Sequence, residues 1–236
     1  MNKPNIKDVA EYNYTSFKPE YYNFKEFKGA KPGEKAIDFD AYGLDGEKVK
    51  LSDFLGTWLV LESGSFSCPM YVGNIHKMNR LAKEFEDVVF LVLYVREAHP
   101  GSSVSPLKSI EEKIDHAKRL PGEENEERTI IVDTLNGNAH RHYGTYPDAV
   151  YIINPEGTVI FRGDWTMAAE VEKVLSQGRE EIHKQEHFQP GRPSIPLAFR
   201  VLKRAGLNAL WDFALGLPKL LTMHKDADEA YSRRSE

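Results

Sequence analysis

Residues 88–95 read VVFLVLYV, an unbroken run of β-branched, aliphatic and aromatic residues set between Asp87 and Arg96. A strand with one wet face alternates apolar and polar positions. An unbroken run of this length fits a central strand buried on both faces. Such a strand needs apolar layers above and below it, so the chain must fold as a sheet with elements packed on both sides.

The flanking sequence supplies those elements. Leu44-Asp45-Gly46-Glu47 reads as a turn leading into a strand at Lys48–Leu51, and Trp58–Glu62 (WLVLE) reads as a buried strand. Pro69–Glu86 carries Met70, Ile75, Met78, Leu81, Ala82 and Phe85 close to helical period. Ser109–Leu120 predicts a helix, with Ser109 as its N-cap and Glu112 completing a capping box. Thr129–Val132 predicts a strand, and Gly137–Tyr143 a short helix or turn. Ala149–Ile153 and Thr158–Arg162 form a hairpin about Asn154-Pro155-Glu156-Gly157, and the helix Met167–Ser176 closes at Gly178. This order predicts an α/β three-layer sandwich with a mixed central sheet, its first crossovers parallel and right-handed.

Three regions differ in character. Residues 1–30 form an N-terminal arm rich in aromatics (Tyr12, Tyr14, Phe17, Tyr21, Tyr22, Phe24, Phe27) with neither strand nor helix period. It is expected to pack either on its own domain or on a second subunit. Residues 31–179 hold the sandwich. Residues 180–236 open with Pro190, Pro193 and Pro196 and continue into two helix signals around Gly206, a helical C-terminal extension. That extension fits packing on the domain or a partner, and alternatively an amphipathic helix on a membrane with Arg200, Lys203 and Arg204 on the wet side.

The net charge of −5 argues against nucleic acid as a partner, since polyanion binding leans on a basic surface. A single cysteine rules out a disulfide framework and a four-thiolate zinc site. No HExxH or facial-triad spacing is present, so no metal is expected. No segment is long and apolar enough to be a transmembrane segment, and MNKPNIKDVAEYNY has no apolar signal core. The expectation is a soluble, cytoplasmic protein.

That one cysteine, Cys68, lies in GSFSCPMY, at the turn between the WLVLE strand and the following helix. Pro69 suits the first helical turn. A helix N-terminus offers unpaired N–H groups and partial positive charge, which favour a thiolate, so Cys68 is expected to be reactive with a lowered pKa. Ser65 and Ser67 are candidates to hydrogen-bond that thiolate. Tyr146-Pro147 precedes the strand Ala149–Ile153, where a cis proline facing the cysteine is expected to flank the site. His140, His142, His76 and His116 read as solvated.

The opening PGEKAIDFDAYGLDGEKVKLSDFLG, the cysteine turn, the pre-strand proline and INPEGTVIFRG resemble the redoxin branch of the thioredoxin-like superfamily over residues 32–178. Within it, GSFSCP followed by LVLYVREAHPG is similar to the iodothyronine deiodinase family. That family reads GSC-T-selenocysteine-P and then a strand ending in E-E-A-H-P. KSIEEKI resembles the family's RSLEDRV, and YPDAVYIIN resembles the segment before its final hairpin. The resemblance places Cys68 at the selenocysteine position, and Glu97 and His99 on the family's acid and histidine. It implies Cys68 as nucleophile toward a soft centre, His99 handling a proton and Glu97 orienting His99. It implies a small-molecule substrate, an iodinated aromatic, and no bound cofactor. An external thiol reductant or thioredoxin-like reductase is then a partner, and a homodimer is expected.

The chain departs from that pattern at four places. A cysteine replaces selenocysteine, Phe66 stands where the family has a second cysteine, Leu107 where it has a second histidine, and GSSVSP is shorter than the family's insertion. Without a second thiol no internal disulfide can resolve the reaction. Two other readings compete. A one-Cys peroxiredoxin-like thiol peroxidase fits Ser65 but finds Leu61 in place of its proline and Asp148 in place of its guanidinium. A thioredoxin-fold binding or assembly module, with Cys68 incidental, would gain from a buried Cys68 and a His99 turned away.

Overall fold

The computed structural model describes residues 6–190 and 193–235. The first five residues of the expected arm lie outside the described residues.

One mixed sheet of seven strands carries the molecule: β1 (Asp40–Gly43), β2 (Lys48–Lys50), β3 (Trp58–Gly64), β4 (Val88–Tyr94), β5 (Thr129–Asp133), β6 (Val150–Ile153) and β7 (Val159–Gly163), in the spatial order β2-β1-β5-β4-β3-β6-β7. β3, β4 and β5 run parallel, and β6, β7, β1 and β2 extend the sheet antiparallel on either side. The VVFLVLYV run is β4, flanked by β3 and β5, as its composition requires. β1 has no counterpart in the sequence expectations: its four residues, DAYG, are too few and too mixed to show a period.

Alternation along the strands assigns the two faces. Val60, Phe90, Val92, Tyr94, Val132, Val150 and Ile152 point to one side. There they meet α2 (Pro69–Glu84), α3 (Ile110–Ala117), α4 (Arg119–Glu124), α6 (Ala168–Gln177) and α7 (Ile195–Ala205). Ser109 caps α3 by accepting the Glu112 N–H at 3.2 Å, while the Glu112 carboxylate reaches back to the Lys108 N–H at 2.8 Å.

Leu59, Leu61, Leu91, Leu93, Ile131, Tyr151 and Ile153 point to the other side. That face is covered by α5 (Asn138–His142), by α8 (Leu207–Ser235) and by the aromatic arm, which includes the short helix α1 (Ile6–Tyr12). Of the two expectations for the arm, packing on its own domain is what the structure shows. Phe17, Tyr22, Phe24 and Phe27 join the sheet core directly. Phe24 stacks on His224 of α8 at 4.6 Å and meets Trp165 and Tyr146 at 5.4 Å. Arg96 lies over the rings of Tyr12, Tyr14 and Tyr22 at 5.1, 4.8 and 5.4 Å.

The C-terminal extension folds back on both faces. α7 packs beside α2, and the junction with α8 receives the loop after β4: the N–H groups of Ser103 and Val104 both bond the Ala205 carbonyl. Gly101 and Gly206 sit at this junction, where a Cβ on Gly101 would lie 2.4 Å from the Ala205 carbonyl oxygen.

Candidate active site

β3 ends at Gly64 and α2 begins at Pro69, so Ser65–Cys68 form the turn between them. A Cβ on Gly64 would meet the Tyr71 ring at 2.3 Å, so only glycine lets the strand end lie against the first turn of α2. Cys68 is the N-cap of α2; its side chain makes no capping hydrogen bond, although the backbone N–H groups of Tyr71 and Met70 in the first turn favour the thiolate.

The expected low-pKa thiolate does not result. Cys68 is 1% exposed. Burial pushes its thiol well up, the Asp148 carboxyl adds to this and Glu62 contributes less, together outweighing the two N–H groups. In this conformation Cys68 is a thiol.

Two buried polar networks flank the turn. In the first, the Glu97 carboxylate accepts from the Ser67 N–H at 3.0 Å, the Ser67 hydroxyl at 2.6 Å and the Tyr94 hydroxyl, and it meets His116 Nδ1 at 3.1 Å. Burial alone would raise this carboxyl, but His116, Ser67 and Tyr94 hold it below the usual range, so it is ionised. Ser67 Oγ also accepts the His99 N–H at 3.0 Å, and Ser65 Oγ accepts the Ala98 N–H at 3.2 Å. The two serine hydroxyls therefore tie the cysteine turn to the Glu97–His99 loop and are not assigned to the thiolate.

The second network lies toward β5 and β6. Arg128 donates to Glu62 and, through Nε at 2.8 Å and Nη2 at 2.7 Å, to Glu126, which also takes the Tyr71 hydroxyl at 2.7 Å. Asp148 accepts from Asn74 at 3.3 Å. Three buried carboxyls thus face one guanidinium. Burial pushes Asp148 far up, with Glu62 adding to it, and burial pushes Glu62 up against the pull of Arg128, so the pair retains a proton and Asp148 is a neutral acid.

His99 is 7% exposed and buried among aromatic rings, Phe17 at 4.3 Å and Phe213 of α8 at 5.4 Å. Its Nδ1 has no hydrogen-bond partner among the described residues. Burial lowers its pKa to about 3 against the opposing pull of Glu97, so the imidazole is neutral. Glu97 reaches His99 through Ser67 and its backbone, since the carboxylate's own bonds go to Ser67, Tyr94 and His116.

The cis bond expected at Tyr146-Pro147 is not formed. No peptide bond is cis among the described residues; Gly144 (φ 101°) and Thr145 (φ 61°) reverse the chain first, so Pro147 enters β6 by a trans bond. The Tyr146 ring packs with Phe24, Phe27 and Trp165 on the arm-covered face, and its hydroxyl bonds the Asn23 carbonyl at 3.0 Å. It does not line the thiol.

Sequence reasoning missed several groups. His116 and His140, both read as solvated, are largely buried: His140 bridges the Tyr12 hydroxyl (2.8 Å) and the Tyr146 carbonyl (2.7 Å). Arg204 of α7 donates to the Phe66 carbonyl at 2.6 Å, and Arg204 and Arg119 lie over the Phe66 ring at 3.5 and 4.1 Å. A guanidinium clamp therefore occupies the place where the resemblance led one to look for a second cysteine. The signal available in advance was Glu62, a carboxylate inside an otherwise apolar strand.

A surface groove of about 610 Å³ runs beside this assembly, lined by Met70, Gly73, Asn74, Thr166 and Leu197 among others. Asn74, which bonds both Asp148 and the Thr166 carbonyl (3.0 Å), links it to the second network.

The chain is similar to a type I iodothyronine deiodinase of Xenopus laevis, 26% identical over 176 residues, covering 65% of this chain and 69% of that one. It is also similar to a thyroxine 5-deiodinase of Bos taurus, 29% identical over 139 residues, covering 53% of this chain and 46% of the relative. Against several such relatives the matched stretch spans about half of their length. Among solved structures, a chain described as a DsbE thiol:disulfide interchange protein from Chlorobium tepidum superposes with a TM-score of 0.50 at 20% identity, over 64% of this chain and 96% of that one, which shows the thioredoxin-like fold. The iodothyronine deiodinase family matches residues 9–177, from within the aromatic arm to the end of α6, and the chain belongs to that family.

Proposed function

We propose that this protein is a thiol-dependent oxidoreductase that removes iodine reductively from an iodinated aromatic, with Cys68 as nucleophile. The observation that carries this reading is the coupling of Cys68, at the N-terminus of α2, to the His99 loop through Ser67 and Glu97. The Cys68 sulfur attacks iodine, a sulfur–iodine bond forms, the carbon–iodine bond breaks, and the ring carbon takes up a proton. The thiol loses one proton in the same step, so the exchange is proton-neutral. Neutral His99, whose Nδ1 is unpartnered, is the group we assign to carry that proton. An external thiol then displaces iodide to give a mixed disulfide with Cys68, and a second thiol releases the enzyme thiol and leaves with the first as a disulfide.

Both Cys68 and His99 are buried, so turnover requires the wall formed by Phe17, Phe213 and Arg204 to open locally. The peroxidase reading is weaker, because the group beside the thiol is the carboxyl of Asp148 and not a guanidinium.

The test is iodide release from iodophenols, iodotyrosines and iodothyronines with excess dithiothreitol, with hydrogen peroxide consumption followed in the same samples. Cys68→Ser should abolish release, and His99→Ala should reduce it by about 100-fold or more, the usual scale of general acid–base catalysis. Cys68-dependent peroxide turnover without iodide would replace this reading by the thiol peroxidase. Neither activity would favour the binding module.

A further inference from the structure

Helix α8 is apolar on two opposite sides. Ala209, Phe213, Leu220 and Ala227 form the side that packs on the domain. On the outer side Leu207, Trp211 and Leu215 recur every fourth residue, with 65, 67 and 77% of their surface exposed, and Leu221 continues the stripe. On α7, Ile195 and Phe199 are exposed as well. A helix apolar over most of its circumference belongs in a core or against a non-aqueous phase, and so large an exposed stripe marks a contact surface.

The neighbouring charges indicate the phase. Between Ile195 and Lys225 there are five basic residues and one acidic residue, Asp212, in a chain whose net charge is −5. Arg200 and Arg204 are engaged by Glu124, but Lys203, Lys219 and Lys225 are exposed. Lys219 follows Leu215 by one turn and Lys225 follows Leu221 by one turn, so apolar stems border the stripe while ammonium groups reach past it. Tryptophan and leucine on a face edged by lysine match the boundary of an anionic bilayer. An isologous pairing of two copies through this stripe would set the same lysines near one another, a cost that anionic headgroups remove. No helix among the described residues is long and apolar enough to cross a membrane, so the contact is in-plane.

We propose that the outer stripe of α8 docks the protein on the surface of an anionic lipid bilayer. The inner side of the same helix walls His99 through Phe213, so docking places the candidate site next to the phase in which apolar ring compounds accumulate. The docking itself stands whether or not the dehalogenase reading does.

The experiment is vesicle co-sedimentation of the full chain with phosphatidylcholine alone or mixed with phosphatidylglycerol, with tryptophan emission followed in parallel. Expected is binding to the anionic vesicles with a blue shift that Trp211→Phe diminishes, and binding about tenfold or more weaker to the neutral ones. Trp211→Glu/Leu215→Glu should lower binding by a similar factor, and Lys219→Glu/Lys225→Glu should abolish the preference for anionic lipid. These side chains are exposed, and far-ultraviolet circular dichroism checks that each variant keeps its helices. Equal binding by wild type and the Trp211/Leu215 variant would overturn the proposal, as would no binding to either vesicle. A wild-type dimer in sedimentation velocity that this variant dissociates, without vesicle binding, would assign the stripe to a second copy.

Discussion

The two faces of the sheet are covered by different kinds of chain. One lies under α2, α3, α4, α6 and α7, elements of regular period. The other lies under an irregular aromatic arm, the five-residue helix α5 and the long helix α8. Both coverings bury the strands equally well: Leu91 and Leu93 on one side are as inaccessible as Val92 and Tyr94 on the other. Regular secondary structure is therefore one way to seal a sheet, and large rings without a helical register are another, because each brings its area with few rotatable bonds. The candidate site lies at the seam. Cys68 belongs to the helix-covered cluster, Phe17 to the arm-covered one, and the His99 ring rests on Phe17.

The largest test of this comparison is on the helix-covered side. Arg128→Met leaves Glu62 and Glu126 buried without their guanidinium and should cost about 3–5 kcal/mol in urea unfolding. A loss below about 1 kcal/mol would mean that the guanidinium is not what keeps these carboxyls in the core. On the arm-covered side, Phe24→Ala removes a ring packed on Tyr146, Trp165 and His224 and should cost about 3 kcal/mol. If it costs no more than an exposed substitution, the arm is an ornament and not the third layer.

The third test is read at the seam, as a slope with pH and not as a loss at one pH. His99 is neutral in the folded protein with a pKa of about 3, whereas the unfolded chain takes up that proton near pH 6.5. The unfolded state therefore binds more protons between those values, and stability falls as pH drops through this window, by about 1.4 kcal/mol per pH unit for this group alone. His99→Phe should remove that slope. The buried His140 shares the same sign, and carboxyls with raised pKa such as Asp148 have the opposite one, but both are present in each protein and cancel in the difference. Identical pH profiles would place His99 in contact with water.

The comparison also explains what could be read in advance. The helix-covered half was legible because its helices repeat at 3.6 residues, and β4 because an unbroken apolar run has few other uses. The arm could be seen to be rich in rings, yet no period told where they would pack. At the site, Cys68, Glu97 and His99 were placed by position and by the EAHP box. The partners of those residues were not. Glu97 lies with His116, a contact that depends on α3 returning across the loop after β4. Asp148 and Glu62 lie eighty-odd positions apart in the chain and meet only because β6 pairs with β3.

The sequence by itself determined the α/β layering, the strand-to-helix turn that carries Cys68 and the family to which the chain belongs, because each rests on local pattern: apolar period, turn residues and a short motif. Only the tertiary structure decided the state of the site. Whether Cys68 is thiolate or thiol, His99 charged or neutral, and Asp148 acid or anion depends on how much water and how many opposite charges remain after distant segments close over them. The arm, α7 and α8 supply that closure, and desolvation at this depth outweighs what a helix N-terminus offers a sulfur.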